Sequence, residues 1–138
     1  MLSLLTLRTR GGENVNNNSF ELDYNYDSSC DVLVVKVKRD FTYAKTVEMD
    51  EGVLLDFDIN NVPISLEILD ASKIFKVPKG SLNNPSSFNM NVFVNEDSIK
   101  IDVIMEVLVD YHQKNTKLDS LVNNYANIPS METTLSSA

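Results

Sequence analysis

The chain has 138 residues, the span of one ordinary domain, and its 43% hydrophobic content is enough for a single core. Twenty acidic against twelve basic side chains leave a formal net charge of -8. That balance opposes phosphate-driven nucleic-acid binding and docking on anionic membranes, and it favours a basic partner.

The single cysteine, Cys30, excludes an intrachain disulfide. No apolar run is long enough to span a bilayer. Arg8 and Arg10 follow the short apolar start, whereas an export signal has its positive charges first, so the expectation is a cytoplasmic protein. Gly11-Gly12 and Asn16-Asn17-Asn18 predict a flexible arm over residues 1–19. From Phe20 the pattern turns to strand. Phe20, Leu22 and Tyr24 alternate with polar neighbours, and Asn25 to Asp31 is turn-rich. Val32 to Lys38 is β-branched, and a short strand follows around Thr46 to Met49. Val53, Leu55 and Phe57 alternate with Leu54, Asp56 and Asp58. Asn60-Asn61 offers a hairpin turn, and Ile64, Leu66 and Ile68 line the return strand.

Asp70 is placed to cap a short helix over Ala71 to Lys76, which Pro78 and Gly80 end. Met90 to Val94 is a further strand. Six apolar residues from Ile99 to Val109 then recur at every second position, so this segment is a long strand with one buried face. Ile104 and Leu108 on its other face point to an extra contact, with the tail or a second subunit. Beyond Tyr111 the spacing of Leu118, Leu121, Val122 and Tyr125 predicts one short helix capped by Thr116, and Ser130 to Ala138 reads as disordered. The expected architecture is α+β, mainly β: a small antiparallel sheet of strand hairpins with one or two short helices. Its core spans 20–111, with a short helix and disordered tail over 112–138.

The run Ile64-Ser65-Leu66-Glu67-Ile68-Leu69-Asp70-Ala71-Ser72 resembles the v-G-I-E-I-L-D-A-S signature of the domain of unknown function 2283, with Ser65 at its glycine. Tyr26-Asp27 with Asp31, then Glu48, Gly52 and Asp56, resemble the rest of its pattern. The long C-terminal extension resembles archaeal, methanogen-type members. The resemblance implies a small antiparallel sheet of four or five strands followed by a short helix, and no established activity. By analogy with members beside nuclease-toxin-like genes, it also suggests an antitoxin-like protein that masks a basic nuclease-like partner.

Candidate chemistry is sparse. Asp56, Asp58, Asn60 and Glu67 fall at positions of a calcium-loop template, but Asn61 replaces the needed glycine and Pro63 interrupts the loop. A solvated hairpin face shared by Asp56 and Asp58 accounts for them. The acidic run of Asp50, Glu51, Asp56, Asp58, Glu67 and Asp70 reads as a charged sheet face, with a metal-dependent enzyme as the alternative. Glu67 is the residue of most interest, although a cross-strand Lys36 or Lys45 would explain it structurally. His112 is the only histidine and Cys30 the only cysteine. Lys36, Lys38, Arg39 and Lys45 near Phe41 and Tyr43 form a basic cluster too weak to offset the acidic total. The expectation is a non-enzymatic interaction module without cofactor. It would be a homodimer or bind a basic protein, and would not engage nucleic acid or membrane.

Overall fold

A computed structural model describes residues 3–8 and 22–137. It contains two five-stranded antiparallel sheets. The first strand in the chain, β1 (Ser3–Arg8), belongs to one sheet; β2 (Leu22–Asp27), β3 (Val32–Val37), β4 (Tyr43–Asp50), β5 (Val53–Asp58) and β6 (Pro63–Leu69) build the other. A single-turn helix, α1 (Ala71–Phe75), and a 3-10 turn over Lys79–Leu82 cross over to β7 (Ser87–Val94), β8 (Ser98–Val109), β9 (His112–Asn123) and β10 (Met131–Ser137). The strand orders are β2-β3-β6-β5-β4 and β1-β10-β7-β8-β9.

Alternation explains why the sheets form and why they meet. Leu33, Val35 and Val37 of β3, Leu55 and Phe57 of β5, and Ile64, Leu66 and Ile68 of β6 are all buried. So are Met90, Val92 and Val94 of β7 and the five residues Ile99, Ile101, Val103, Met105 and Val107 of β8. Each sheet thus has one apolar face, and the two faces share one hydrophobic core. Every such aliphatic side chain contributes about 1.5–3 kcal/mol by leaving water. The Tyr24 hydroxyl ties the layers by donating to the Leu82 carbonyl at 2.6 Å, close to the Met105 sulfur.

The β-rich expectation and the long strand over Ile99 to Val109 are met, but the C-terminal third departs from the reading. Residues 112–123 are a strand, where a helix was expected. Leu118 and Val122 face inward, whereas Leu121 and Tyr125 are exposed, so their helical spacing was a coincidence of two faces. The deciding interaction is the full-length ladder with β8, from Val109↔His112 to Ser98↔Asn123. It is closed by a two-residue turn with Asp110 and Tyr111 both at positive φ. The supposed disordered tail contains β10, which lies between β1 and β7 with Met131, Thr133 and Leu135 buried. The core therefore runs well past residue 111. Part of the expected arm, residues 3–8, is a strand paired with β10. Residues 9–19 of the arm and Phe20 lie outside the described residues.

Candidate functional site

The signature residues gather chiefly at one corner, where the β2–β3 turn meets α1. Asp31, at φ 56, is buried there. One of its carboxylate oxygens accepts from the Tyr26 hydroxyl at 2.7 Å and the Ser72 amide at 3.0 Å, and the other accepts from the Ser72 hydroxyl at 2.6 Å. Its carbonyl accepts from the Ala71 amide at 3.1 Å. Burial alone would raise this carboxyl. The bonds from Ser72 and Tyr26, with the charge of Lys79, outweigh that and hold it below the usual carboxylate range. Burial and the bond to Asp31 push the Tyr26 phenol up. The expected cap, Asp70, occupies the N-cap position at φ 52 but makes no side-chain cap bond. Asp31 supplies the cap instead, accepting from the Ser72 amide 41 residues away. Asp27 is held below the usual range by the Ser29 hydroxyl and amide. The neighbouring Cys30 is exposed, and its thiol is raised by local desolvation and by Asp27. The corner is a clasp with its polar groups spent on one another.

The proposed calcium ligands do not come together. Asp58 is buried at the end of β5, whereas Asp56 is half-buried beside Thr46. Asp58 caps the β5–β6 turn through the Asn60 and Val62 amides, both at 2.9 Å, and meets Arg39 at 3.2 Å. Asp56 accepts from Thr46 at 2.5 Å, and Thr46 is bonded to the Tyr43 hydroxyl at 2.7 Å. Asn60 is exposed at the turn, with Asn61 at φ 60 completing the hairpin. Glu67 stands on the outer face between Val34 and Leu54. Neither lysine once expected beside it is its partner: Lys36 faces Ser65, and Lys45 reaches the Ala126 carbonyl at 2.7 Å. Among the described residues, no group of three or more histidine, cysteine, aspartate or glutamate side chains could hold a metal ion.

A second region was not foreseen. Two edge strands, β4 of one sheet and β9 of the other, run side by side. They are pinned at one end by the Ser120 hydroxyl, which donates to the Met49 carbonyl, and at the other by Lys45 on the Ala126 carbonyl. Between the pins an open groove of roughly 740 Å³ is lined by Thr46, Val47, Glu48, Leu121, Val122 and Tyr125, among others. Leu121 and Tyr125 are 66% and 85% exposed, large values for apolar side chains. The groove continues into a depression bearing Glu48, Asp50, Glu51 and Asp119. Asp119 faces Asp102 across the β8–β9 ladder. Burial and the hydrogen bond with Asp119 push the Asp102 carboxyl up, against the opposing pull of Lys100 at 3.7 Å. The sequence signal was present in Leu121 and Tyr125, but their helical spacing assigned them to a docked face.

Comparison with known proteins follows the corner. Residues 23–72, which run from β2 through β6 to the start of α1, match the family model described as Protein of unknown function (DUF2283). A protein of Methanocaldococcus jannaschii, uncharacterized, is 34% identical over 89 residues, which are 64% of this chain and 73% of that protein. A Methanosarcina mazei protein, named "Putative hypoxanthine phosphoribosyltransferase", is 28% identical over 107 residues, 78% of this chain and 84% of its own. No solved structure matches.

Proposed function

Because the chain belongs to the DUF2283 family of proteins of unknown function, which brings no activity with it, we propose from its geometry that it is a non-enzymatic protein-binding module working through the β4–β9 seam. The observation that carries this reading is the juxtaposition of exposed Leu121 and Tyr125 in the groove with four carboxylates, Glu48, Asp50, Glu51 and Asp119, in the depression that continues it. Apolar contact provides affinity, and the acidic rim selects a basic partner and steers it in. A symmetric dimer through the same face would set these carboxylates against their own copies, which disfavours a second copy as occupant. Self-association through the exposed Ile104 and Leu108 side of β8 is the second reading.

The test is a partner captured from native lysate, identified, purified and rebound. Leu121→Asp and the double variant Glu48→Lys, Asp119→Lys should each abolish rebinding while leaving the denaturation midpoint near wild type, since these side chains lie at the surface. Unchanged rebinding by both variants overturns the reading. Light scattering at high micromolar concentration decides the second reading: dimers lost on Leu108→Asp support it, and a strict monomer ends it.

The name of the Methanosarcina mazei relative suggests phosphoribosyl transfer instead. A diphosphate entering the seam would meet the same four carboxylates and be repelled. Nucleotide formation from hypoxanthine and phosphoribosyl diphosphate with Mg²⁺ would nevertheless replace the binding reading.

A further inference from the structure

The hydrogen-bond phase of the sheets fixes which backbone groups of the seam point away from their own sheets. The Leu69 amide donates to the Gly52 carbonyl at 2.8 Å, which makes this a hydrogen-bonded pair of the β5–β6 ladder. Hydrogen-bonded pairs alternate along an antiparallel ladder, so Leu54 and Asp56 direct their backbone groups to β6, and Val53, Leu55 and Phe57 direct theirs to β4. Lys45 and Val47, opposite Phe57 and Leu55, are thereby satisfied by β5. Thr46 and Glu48 turn their N–H and C=O groups out of the sheet, into the groove. The Ile59 amide on the Thr42 carbonyl at 2.9 Å agrees with this phase once the register shift after Tyr43 is counted. On the facing strand, the two-residue turn at Asp110–Tyr111 makes Val109↔His112 a hydrogen-bonded pair, so Asp119 and Leu121 also turn their backbone groups away from β8.

Two strand edges thus face each other across the groove with outward-directed backbone groups. The side-chain pins at Met49 and Ala126 hold them alongside without a ladder between them. Unpaired edges invite another strand, and proteins normally blunt them. Charge on the rim discourages pairing with a second copy of this acidic edge, yet it matches a chain carrying lysine or arginine. Resting on the seam reading, we propose that the bound partner segment is an extended basic strand that adds to β4, pairing its main chain with Thr46 and Glu48. In this arrangement alternate side chains of the segment fall on opposite faces. Basic side chains on the outer face lie beside Glu48. Apolar ones on the inner face lie over Val47 and Val122, with Leu121 and Tyr125 at the groove mouth.

The test uses an eight-residue peptide of alternating lysine and valine, with an alternating glutamate–valine peptide as control, on the full chain followed by amide NMR. The lysine–valine peptide should shift the Leu121 and Tyr125 signals and slow hydrogen exchange at the Thr46 and Glu48 amides; the glutamate peptide should do neither. Two further peptides carry N-methyl groups on alternate amides, one set in each phase. Methylation in the phase facing β4 should weaken binding roughly tenfold or more, and the other phase should bind like the parent. Equal binding by both methylated peptides, with Leu121 and Tyr125 still shifted, overturns strand addition and leaves the seam reading standing. No shift at Leu121 and Tyr125 with any peptide counts against both.

Discussion

The Asp31 corner and the β4–β9 seam both concentrate carboxylates, and they use them in opposite ways. At the corner one buried acid accepts three side-chain or amide bonds and caps a helix, so its charge is fully engaged within the fold. At the seam four acids line the depression that continues the open groove, and one of them, Asp119, faces another acid, Asp102. The difference separates signature residues that maintain the fold from surface residues left available for a partner. It also locates the proposed function outside the most recognisable motif: of the signature, only Glu48 lines the groove.

The strongest way to break that comparison is to remove Asp31. Asp31→Ala leaves Tyr26 and Ser72 without their acceptor and frees the helix from the hairpin, and should cost about 3 kcal/mol in chemical denaturation. Its pH dependence follows from the sign of the shift. The folded carboxyl lies below its unfolded value, so its contribution is complete above the ordinary aspartate range and is lost as pH falls through the lower folded value. Asp31→Asn should flatten that acid-side loss.

Gly52 gives the next effect. It sits at φ 76 in the β4–β5 turn, and a Cβ there would lie 3.2 Å from the Leu69 Cβ. Gly52→Ala should cost about 1–3 kcal/mol by forcing a side chain into the left-handed region against that neighbour. Seam binding should survive in the folded fraction, measured with the same peptide probe.

The smallest effect sharpens the contrast from the seam side. Asp102 has its folded carboxyl above the unfolded value, so its charged form opposes folding at neutral pH, and that cost fades as pH falls toward the ordinary range. Asp119→Asn removes the facing like charge and should stabilise the protein by about 0.5 kcal/mol at neutral pH. The gain should shrink on acidification, because the parent's own Asp102 contribution improves as pH falls, opposite in slope to that of Asp31. A midpoint that falls on this substitution would show that the two acids are not in conflict.

Alternation identified β5, β6 and β8, and β-branched apolar composition β3, because period two along a strand survives any packing partner. The Glu-Ile-Leu-Asp-Ala-Ser run likewise led to the family, and its Ser72 closes the clasp on Asp31. Tertiary structure decided the rest. Residues 112–123 carry a weak pattern with four exposed residues at the start, and only the ladder with β8 makes them a strand. The burial of Asp58 depended on the turn amides and on Arg39 from 19 residues away, contacts that no composition signals. The seam arises from two edges joined by contacts 71 and 81 residues apart in the chain, brought together by the packing of one sheet on the other. Local periodicity specifies which face of a strand is dry, but which edges end up adjacent is settled only when whole sheets bury those faces against each other.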